Sequence, residues 1–130
     1  MKVIISGDRE FDDMEFIFRE VDRIAQNIDI TEVISGKSRG VDKVGEAWAE
    51  YQGIPVKPFP ANWNLLKLAA GPIRNGQMAD YADALIAFKG PKSKGTANMI
   101  KQAKEKNLKI FIVPLTAEQI QICIDRREGK

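Results

Sequence analysis

The chain has 130 residues and a mass of 14.6 kDa, and 44% of its residues are hydrophobic, which fits a single globular domain over residues 1–130. It contains no histidine and one cysteine, so Ser-His-Asp catalysis, Cys-His catalysis, histidine-ligated zinc and an internal disulfide are excluded. The net charge of +2 is too small for a protein that coats duplex DNA. We expect neither a metal nor a cofactor.

The charges are unevenly distributed along the chain. Residues 1–30 carry 4 basic and 8 acidic side chains, whereas residues 89–130 carry 10 basic and 4 acidic ones. This basic excess either faces a phosphate-bearing ligand or keeps the surface hydrated, and composition alone favours hydration. No apolar run has the length of a membrane span, and the N-terminus is unlike a signal peptide, so we expect a cytoplasmic protein without a membrane partner.

Five short apolar runs alternate with longer segments of helical periodicity. The runs predict strands at residues 2–6, 31–35, 54–59, 83–88 and 108–113. The first, fourth and fifth runs are nearly continuous in apolar residues, which is typical of strands buried on both faces. The alternation therefore predicts an α/β fold, a doubly wound sheet of about five parallel strands with helices on both faces.

The segments between the runs have apolar residues at steps of three and four, the spacing of amphipathic helices. Helices are predicted at residues 12–28, 40–52, 72–81 and 96–106, and from residue 116 onward. Residues 60–71 are the least regular stretch and are predicted to form a loop with one helical turn.

Single residues mark the ends of these helices. Asp12 is predicted to cap the first helix, Gly53 to end the second and Pro72 to open the third. Thr116 begins the last helix with a Thr-x-x-Gln capping box. Cys123 falls on the apolar stripe of that helix, so we interpret it as a structural residue and not as a nucleophile.

Four glycine-containing loops fall at the predicted sheet edge where doubly wound proteins bind their ligands. Glycine lets the backbone approach a phosphate, hydroxyl groups donate to its oxygens, and Arg or Lys neutralises its charge. One such loop alone is typical of turn chemistry, but together they contain six cations and favour an anionic, phosphate-bearing ligand. The cations are Arg9, Lys37, Arg39, Arg74, Lys92 and Lys94.

The loops contain neither a P-loop nor a dinucleotide fingerprint, which disfavours an ATPase and an NAD-dependent dehydrogenase. The residues predicted to bind the ligand are Ser6, Gly7, Arg9, Ser35, Gly36, Ser38, Arg39, Gly40, Asp42, Arg74, Asn75, Gly90, Ser93, Lys94, Gly95 and Thr96.

The motifs in these loops resemble those of a known family. GPIRN at 71–75, DALIAF at 83–88 and GPKSKGT at 90–96 are similar to the core of the SLOG superfamily, which includes the SMF/DprA proteins and the Lonely Guy (LOG) phosphoribohydrolases. SGDREF at 6–11 and SGKSRGVD at 35–42 resemble the YspA-type branch of small prokaryotic and phage proteins. The resemblance implies a Rossmann-like fold that binds a nucleotide or a nucleotide-derived ligand.

The sequence departs from the LOG pattern at a catalytic position. LOG enzymes pair an arginine, matched by Arg74, with a glutamate three residues after Gly-Thr, where this chain has Met99. Methionine cannot stabilise the oxocarbenium-like transition state of N-glycosidic cleavage, so a carboxylate would have to come from Asp42, Glu10 or Asp8. Asp8 also stands where the branch pattern Gly-Ser-Arg would place a serine.

Two aromatic residues lie near these motifs. Trp63 is in the irregular segment, and we expect it to pack beneath a loop, with stacking on a base as the alternative. Tyr81, at the end of the third predicted helix, is expected to belong to the core and not to a site.

The leading interpretation is a binding module that holds a nucleotide or nucleotide-derived small molecule, as a sensor or as a sequestering protein. The alternative is a nucleotide phosphoribohydrolase or related N-glycosidase that uses Arg74 with Asp42. A third possibility is binding of single-stranded nucleic acid by analogy with DprA, which the scarcity of aromatic residues in the loops disfavours. The resemblance also implies a homo-oligomer, most simply a dimer.

Overall fold

The computed structural model describes residues 1–129, and its core is one parallel sheet. The strands are β1 Lys2–Gly7, β2 Glu32–Ser35, β3 Val56–Pro58, β4 Ala84–Lys89 and β5 Lys109–Pro114. Their order is β3-β2-β1-β4-β5, and every pair is parallel. The predicted five-stranded parallel sheet is therefore confirmed, with the two most buried strands, β1 and β4, in its interior. The prediction that the fifth strand is buried on both faces is wrong, because β5 lies at the edge of the sheet and is only partly buried.

Helices connect the strands on both faces of the sheet. They are α1 Met14–Ala25, α2 Val41–Gln52, α3 Trp63–Leu66, α4 Ala70–Tyr81, α5 Lys94–Glu105 and α6 Ala117–Glu128, with a 3-10 turn at Lys67–Ala69 between α3 and α4. None of the helices in residues 1–129 has the length and apolar character that a membrane crossing requires.

The strand side chains alternate between two separate hydrophobic clusters, one on each face of the sheet. Ile5 of β1 packs in the cluster that includes the apolar faces of α1 and α2. Its neighbour Ile4 packs on the other face with Met78 of α4 and Met99 of α5. Because both faces are covered, the central strands read as continuous apolar runs.

Several predicted helix ends are confirmed. Gly53 ends α2 with a left-handed backbone, φ 71°. Thr116 and Gln119 form the capping box of α6, in which the Gln119 N–H donates to the Thr116 hydroxyl at 3.1 Å and the Thr116 N–H to the Gln119 side chain at 2.7 Å. Cys123 is 2% exposed, in agreement with a structural role, and its burial raises the pKa of the thiol.

Three predicted helix starts are wrong, those of α1, α4 and α5, and α5 begins at Lys94 and not at residue 96. The cap of α1 is Asp13, whose carboxylate accepts the Phe16 N–H at 3.1 Å, and not Asp12, which pairs with Arg126 at 2.5 Å. Helix α4 begins at Ala70, so Pro72 lies in its first turn, where a missing N–H costs no intrahelical hydrogen bond. The differences in α1 and α4 arise because the N-terminal turn of a helix accepts the same residue types at adjacent positions.

Candidate ligand-binding cleft

A cleft of about 950 Å³ opens at the carboxyl ends of β1 and β4. The loops after β1, β2 and β4, the segment from α3 into α4, the N-terminal parts of α2 and α5, and α6 line it. Of the residues predicted to bind a ligand, the structure brings eleven together in the cleft lining: Ser6, Gly7, Arg9, Ser38, Asp42, Arg74, Asn75, Ser93, Lys94, Gly95 and Thr96. Five others lie beside or behind it: Ser35, Gly36, Arg39, Gly40 and Gly90.

Asp8 connects two of these loops. One carboxylate oxygen accepts the Ser93 hydroxyl at 2.5 Å, and the other accepts the Glu10 N–H at 2.8 Å. Ser93 in turn accepts the Gly90 N–H at 3.1 Å. The aspartate in the Gly-Asp-Arg motif therefore joins the loop after β1 to the loop after β4. Because both of its carboxylate oxygens accept hydrogen bonds within the protein, its role is structural.

The N-terminus of α5 faces the cleft without a side-chain cap. Ser93 is the N-cap residue, but its hydroxyl makes no capping hydrogen bond because it is engaged with Asp8. The N–H groups of Gly95 and Thr96 belong to the first turn, which has no acceptor inside the helix. These N–H groups and the positive end of the helix dipole are arranged to accept an anion.

Cations surround this helix end. Arg9, Lys92 and Lys94 line the cleft and are exposed, and none of them takes part in an ion pair in the part of the chain that the structure describes. Arg74 also lines the cleft but is buried.

The floor of the cleft contains two buried ionisable groups, the carboxyl group of Asp42 and the guanidinium group of Arg74. Asp42 is 3% exposed, and burial raises its pKa to about 7, although Arg74 and the N–H groups of Ser38 and Gly7 act to lower it. Arg74 donates to the Gly36 carbonyl and, at 3.0 Å, to the Asn75 side chain. Burial lowers the pKa of Arg74, and the charge of Asp42 partly restores it.

Gly36 leaves the space that this floor needs. A Cβ at Gly36 would lie 2.6 Å from the Arg74 Nη1 and 3.0 Å from the Asp42 Oδ2. Gly36 thus supports the floor from behind without lining the cleft.

Two other predicted site residues, Ser35 and Arg39, do not line the cleft and bind side chains distant in sequence. Ser35 donates to Glu46 at 2.6 Å, and Lys37 pairs with the same carboxylate at 3.0 Å. Burial alone would raise the pKa of Glu46, but these hydrogen bonds lower it. Arg39 pairs with Glu10, whose other carboxylate oxygen pairs with Arg127 of α6 at 2.5 Å.

The position that the LOG resemblance assigns to a catalytic glutamate does not line the cleft. Met99 is fully buried in the cluster between the sheet, α4 and α5. Its neighbour Asn98 lines the cleft and accepts the Asn75 side-chain amide at 3.0 Å. Of the three candidate carboxylates, Asp8 accepts from Ser93 and Glu10 pairs with arginines, whereas Asp42 lies beside Arg74.

The structure corrects the interpretation of Trp63 and refines that of Tyr81. Trp63 is half exposed and lines the cleft, so it is not packed beneath a loop. Tyr81 is partly buried against Phe59, and its hydroxyl donates to Glu32 at 2.5 Å, away from the cleft.

Sequence reasoning missed the wall that α6 contributes. Ala117, Ile120, Gln121 and Ile124 line the cleft. Ile120 packs so closely on the loop after β4 that a Cβ at Gly90 would lie 2.5 Å from its Cδ1. The apolar stripe of α6 was visible in the sequence, but nothing there indicated that part of it faces a cleft.

The acidic side chains are not clustered for metal binding. No group of three or more His, Cys, Asp or Glu residues within residues 1–129 is placed to hold a metal ion.

Comparison with known proteins identifies the family. The family model described as YspA, cpYpsA-related SLOG family (YAcAr) matches residues 1–65, half of the chain. No curated protein matches the sequence. The X-ray structure of DNA processing protein A (DprA) from Streptococcus pneumoniae is similar with a TM-score of 0.69 and 14% sequence identity. The match covers 96% of this chain but 56% of that one, and at this identity it shows a shared fold. The chain thus belongs to the YspA, cpYpsA-related SLOG family.

Proposed function

We propose that the protein is a binding module for a nucleotide or nucleotide-derived small molecule, acting as a sensor or as a sequestering protein. The observation that carries this proposal is the uncapped N-terminus of α5 in the cleft, flanked by Lys92 and Lys94. A helix end that lacks a side-chain cap and has unpaired lysines beside it favours a phosphate group. Membership of the SLOG family supports the same ligand class.

The binding of AMP tests this proposal. The double variant Lys92→Gln/Lys94→Gln is expected to weaken AMP binding roughly 5- to 30-fold in calorimetry, because each exposed cation contributes about 0.5–1 kcal/mol. The effect is expected to shrink at high salt.

A matched control separates this effect from a general change of charge. Lys101→Gln/Lys104→Gln removes the same charge from exposed positions of α5 outside the cleft lining, and is expected to leave the affinity within about twofold. Equal losses in both double variants, or an AMP affinity too weak to measure in the wild type, would contradict the proposal.

A nucleotide hydrolase is the second candidate, favoured by Asp42. This carboxylate is buried beside Arg74 in the cleft, and its pKa of about 7 suits a general base. Assaying the same samples for free adenine distinguishes the two functions. Turnover of AMP at roughly 1 s⁻¹ or faster that Asp42→Asn abolishes would replace the binding module by an enzyme.

Met99→Glu is not a useful activity variant. Met99 is fully buried, so a glutamate there would place a carboxylate in the core and not in the cleft.

Single-stranded nucleic acid is a third candidate, suggested by the structural neighbour that is named a DNA processing protein. In the cleft lining of residues 1–129, Trp63 is the one aromatic residue. Sequence-independent grooves for single strands stack successive bases on several rings, so this candidate is weaker than a single nucleotide. Competition of AMP by an oligonucleotide would favour it.

We further propose that the protein forms a homodimer. Large apolar side chains remain exposed outside the cleft, including Tyr51, Leu65, Ile112 and Ile122. Exposed apolar area of this kind would be removed from water if a second subunit covered it. Light scattering is expected to give twice the 14.6 kDa of one chain, and a particle of 14.6 kDa at micromolar concentration would contradict the dimer.

A further inference from the structure

The two tryptophans of the chain have opposite environments. Trp48 is 2% exposed, and its indole N–H donates to Asp22 at 2.8 Å, the usual state of a structural tryptophan. Trp63 is 50% exposed, and no hydrogen bond in residues 1–129 involves its indole. The tip of the ring lies against Gly71, where a Cβ would be 3.3 Å from Trp63 Cη2. This contact holds one edge of the ring while half of the side chain stays open to solvent.

Other apolar side chains accompany Trp63 in the cleft. Leu68 in the 3-10 turn is 91% exposed and lines the cleft, and α6 contributes Ile120 and Ile124. Exposed leucine and tryptophan side chains are costly in water, since each leaves apolar area that burial would stabilise. An occupant with an apolar surface would remove this cost.

The size and charge of the cleft limit what that occupant is. Its volume of about 950 Å³ lies at the upper end of the range for small-molecule sites and far exceeds what a phosphate group fills. The same cleft contains the α5 N-terminus, Lys92 and Lys94. A ligand that fits both the cationic and the apolar part of the cleft has an anionic group and a planar aromatic group. A nucleotide has both.

We propose that Trp63 stacks on the base of the bound nucleotide, with Leu68 in the same cleft, so that the ligand is a nucleotide with its aromatic base and not a sugar phosphate. This inference rests on the proposed function and specifies it. Trp63 is then a specificity-determining residue, because stacking acts on the base and leaves the phosphate contacts unchanged.

The experiment compares two probes that share a ribose and a phosphate. AMP carries a base and ribose 5-phosphate does not, so their affinity ratio isolates the base. We expect AMP to bind roughly 5- to 150-fold more tightly in the wild type, the range that base stacking on an aromatic side chain contributes. In Trp63→Leu the ratio is expected to fall towards one while ribose 5-phosphate binds as before, and Trp63→Phe is expected to retain most of it.

A matched control tests whether any exposed aromatic residue would have this effect. Tyr51→Leu removes a ring that is 81% exposed and packs on Phe18 outside the cleft, so the ratio should not change. Tryptophan fluorescence gives a second readout. The emission that Trp63→Phe removes is expected to be protected from acrylamide by AMP and not by ribose 5-phosphate.

The outcomes separate this inference from the proposed function. If both probes bind equally well, or if Trp63→Leu leaves their ratio unchanged, the base does not stack on Trp63, although a phosphate site remains. If neither probe binds, the proposed function fails and the stacking inference fails with it. A ratio that collapses in Trp63→Leu and persists in Tyr51→Leu supports both.

Discussion

Replacing Gly40 with alanine is expected to destabilise the protein by about 3 kcal/mol or more. Gly40 precedes α2 with φ 79° and ψ −128°, and positive φ alone costs an L-residue about 1–2 kcal/mol. A Cβ would also lie 2.5 Å from the Arg9 carbonyl oxygen and 2.6 Å from that of Asp8. Because both atoms belong to the backbone, the loop after β1 would have to move. Urea denaturation measures the loss.

Two other glycines provide graded controls for this prediction. Gly53 has φ 71°, but a Cβ there would have no other atom of residues 1–129 within 4 Å beyond its own chain neighbours. Gly53→Ala is therefore expected to lower the free energy of unfolding by about 1 kcal/mol. Gly95 has open space and lies in the first turn of α5, where alanine is expected to stabilise by about 0.5–1 kcal/mol. If Gly40→Ala destabilises the protein no more than Gly53→Ala does, Gly40 does not pack tightly against the loop after β1 in solution.

The stability of the protein is expected to fall as the pH rises from 3.8 to about 7, because of the titration of Asp42. Burial raises the pKa of Asp42 from 3.8 to about 7, so the folded state holds a proton that the unfolded state has already released. The unfolding free energy therefore decreases by about 1.4 kcal/mol per pH unit between these values. The contribution of this proton to stability is fully present below the pKa of the unfolded state. It is lost as the pH rises through the pKa of the folded state.

Asp42→Asn isolates this effect, because asparagine does not titrate. The wild-type free energy of unfolding minus that of Asp42→Asn is expected to fall by about 3 kcal/mol between about pH 5 and about pH 8. Arg74→Gln provides the direction test. Removing that positive charge should move the transition to higher pH, because Arg74 acts to lower the pKa of Asp42. A difference that stays constant with pH would mean that Asp42 is hydrated and ionised throughout.

This titration also bears on ligand binding. Ionised Asp42 adds a negative charge to the floor of the cleft, so a phosphate-bearing ligand meets less repulsion when the carboxyl is protonated. Ionisation of Asp42 is thus expected to weaken the binding of such a ligand.

The sequence by itself determined the five strands, their parallel arrangement and several helix ends. These features depend on local periodicity and on short signals such as the Thr116 capping box and the left-handed Gly53. It also indicated that Arg74, Gly95 and Thr96 share one edge of the sheet, because the ends of parallel strands meet there.

Only the tertiary structure decided which candidate side chains face the cleft. Arg39 does not line the cleft and pairs with Glu10, a partner 29 residues distant, and Arg127 reaches the same carboxylate across 117 residues. Met99 points into the core while its neighbour Asn98 lines the cleft, a difference of one helical position. The physical reason is that the direction of a side chain on α5 or α6 depends on the orientation of that helix about its own axis relative to the sheet. That orientation is set by packing between segments far apart in the chain, which no local pattern records.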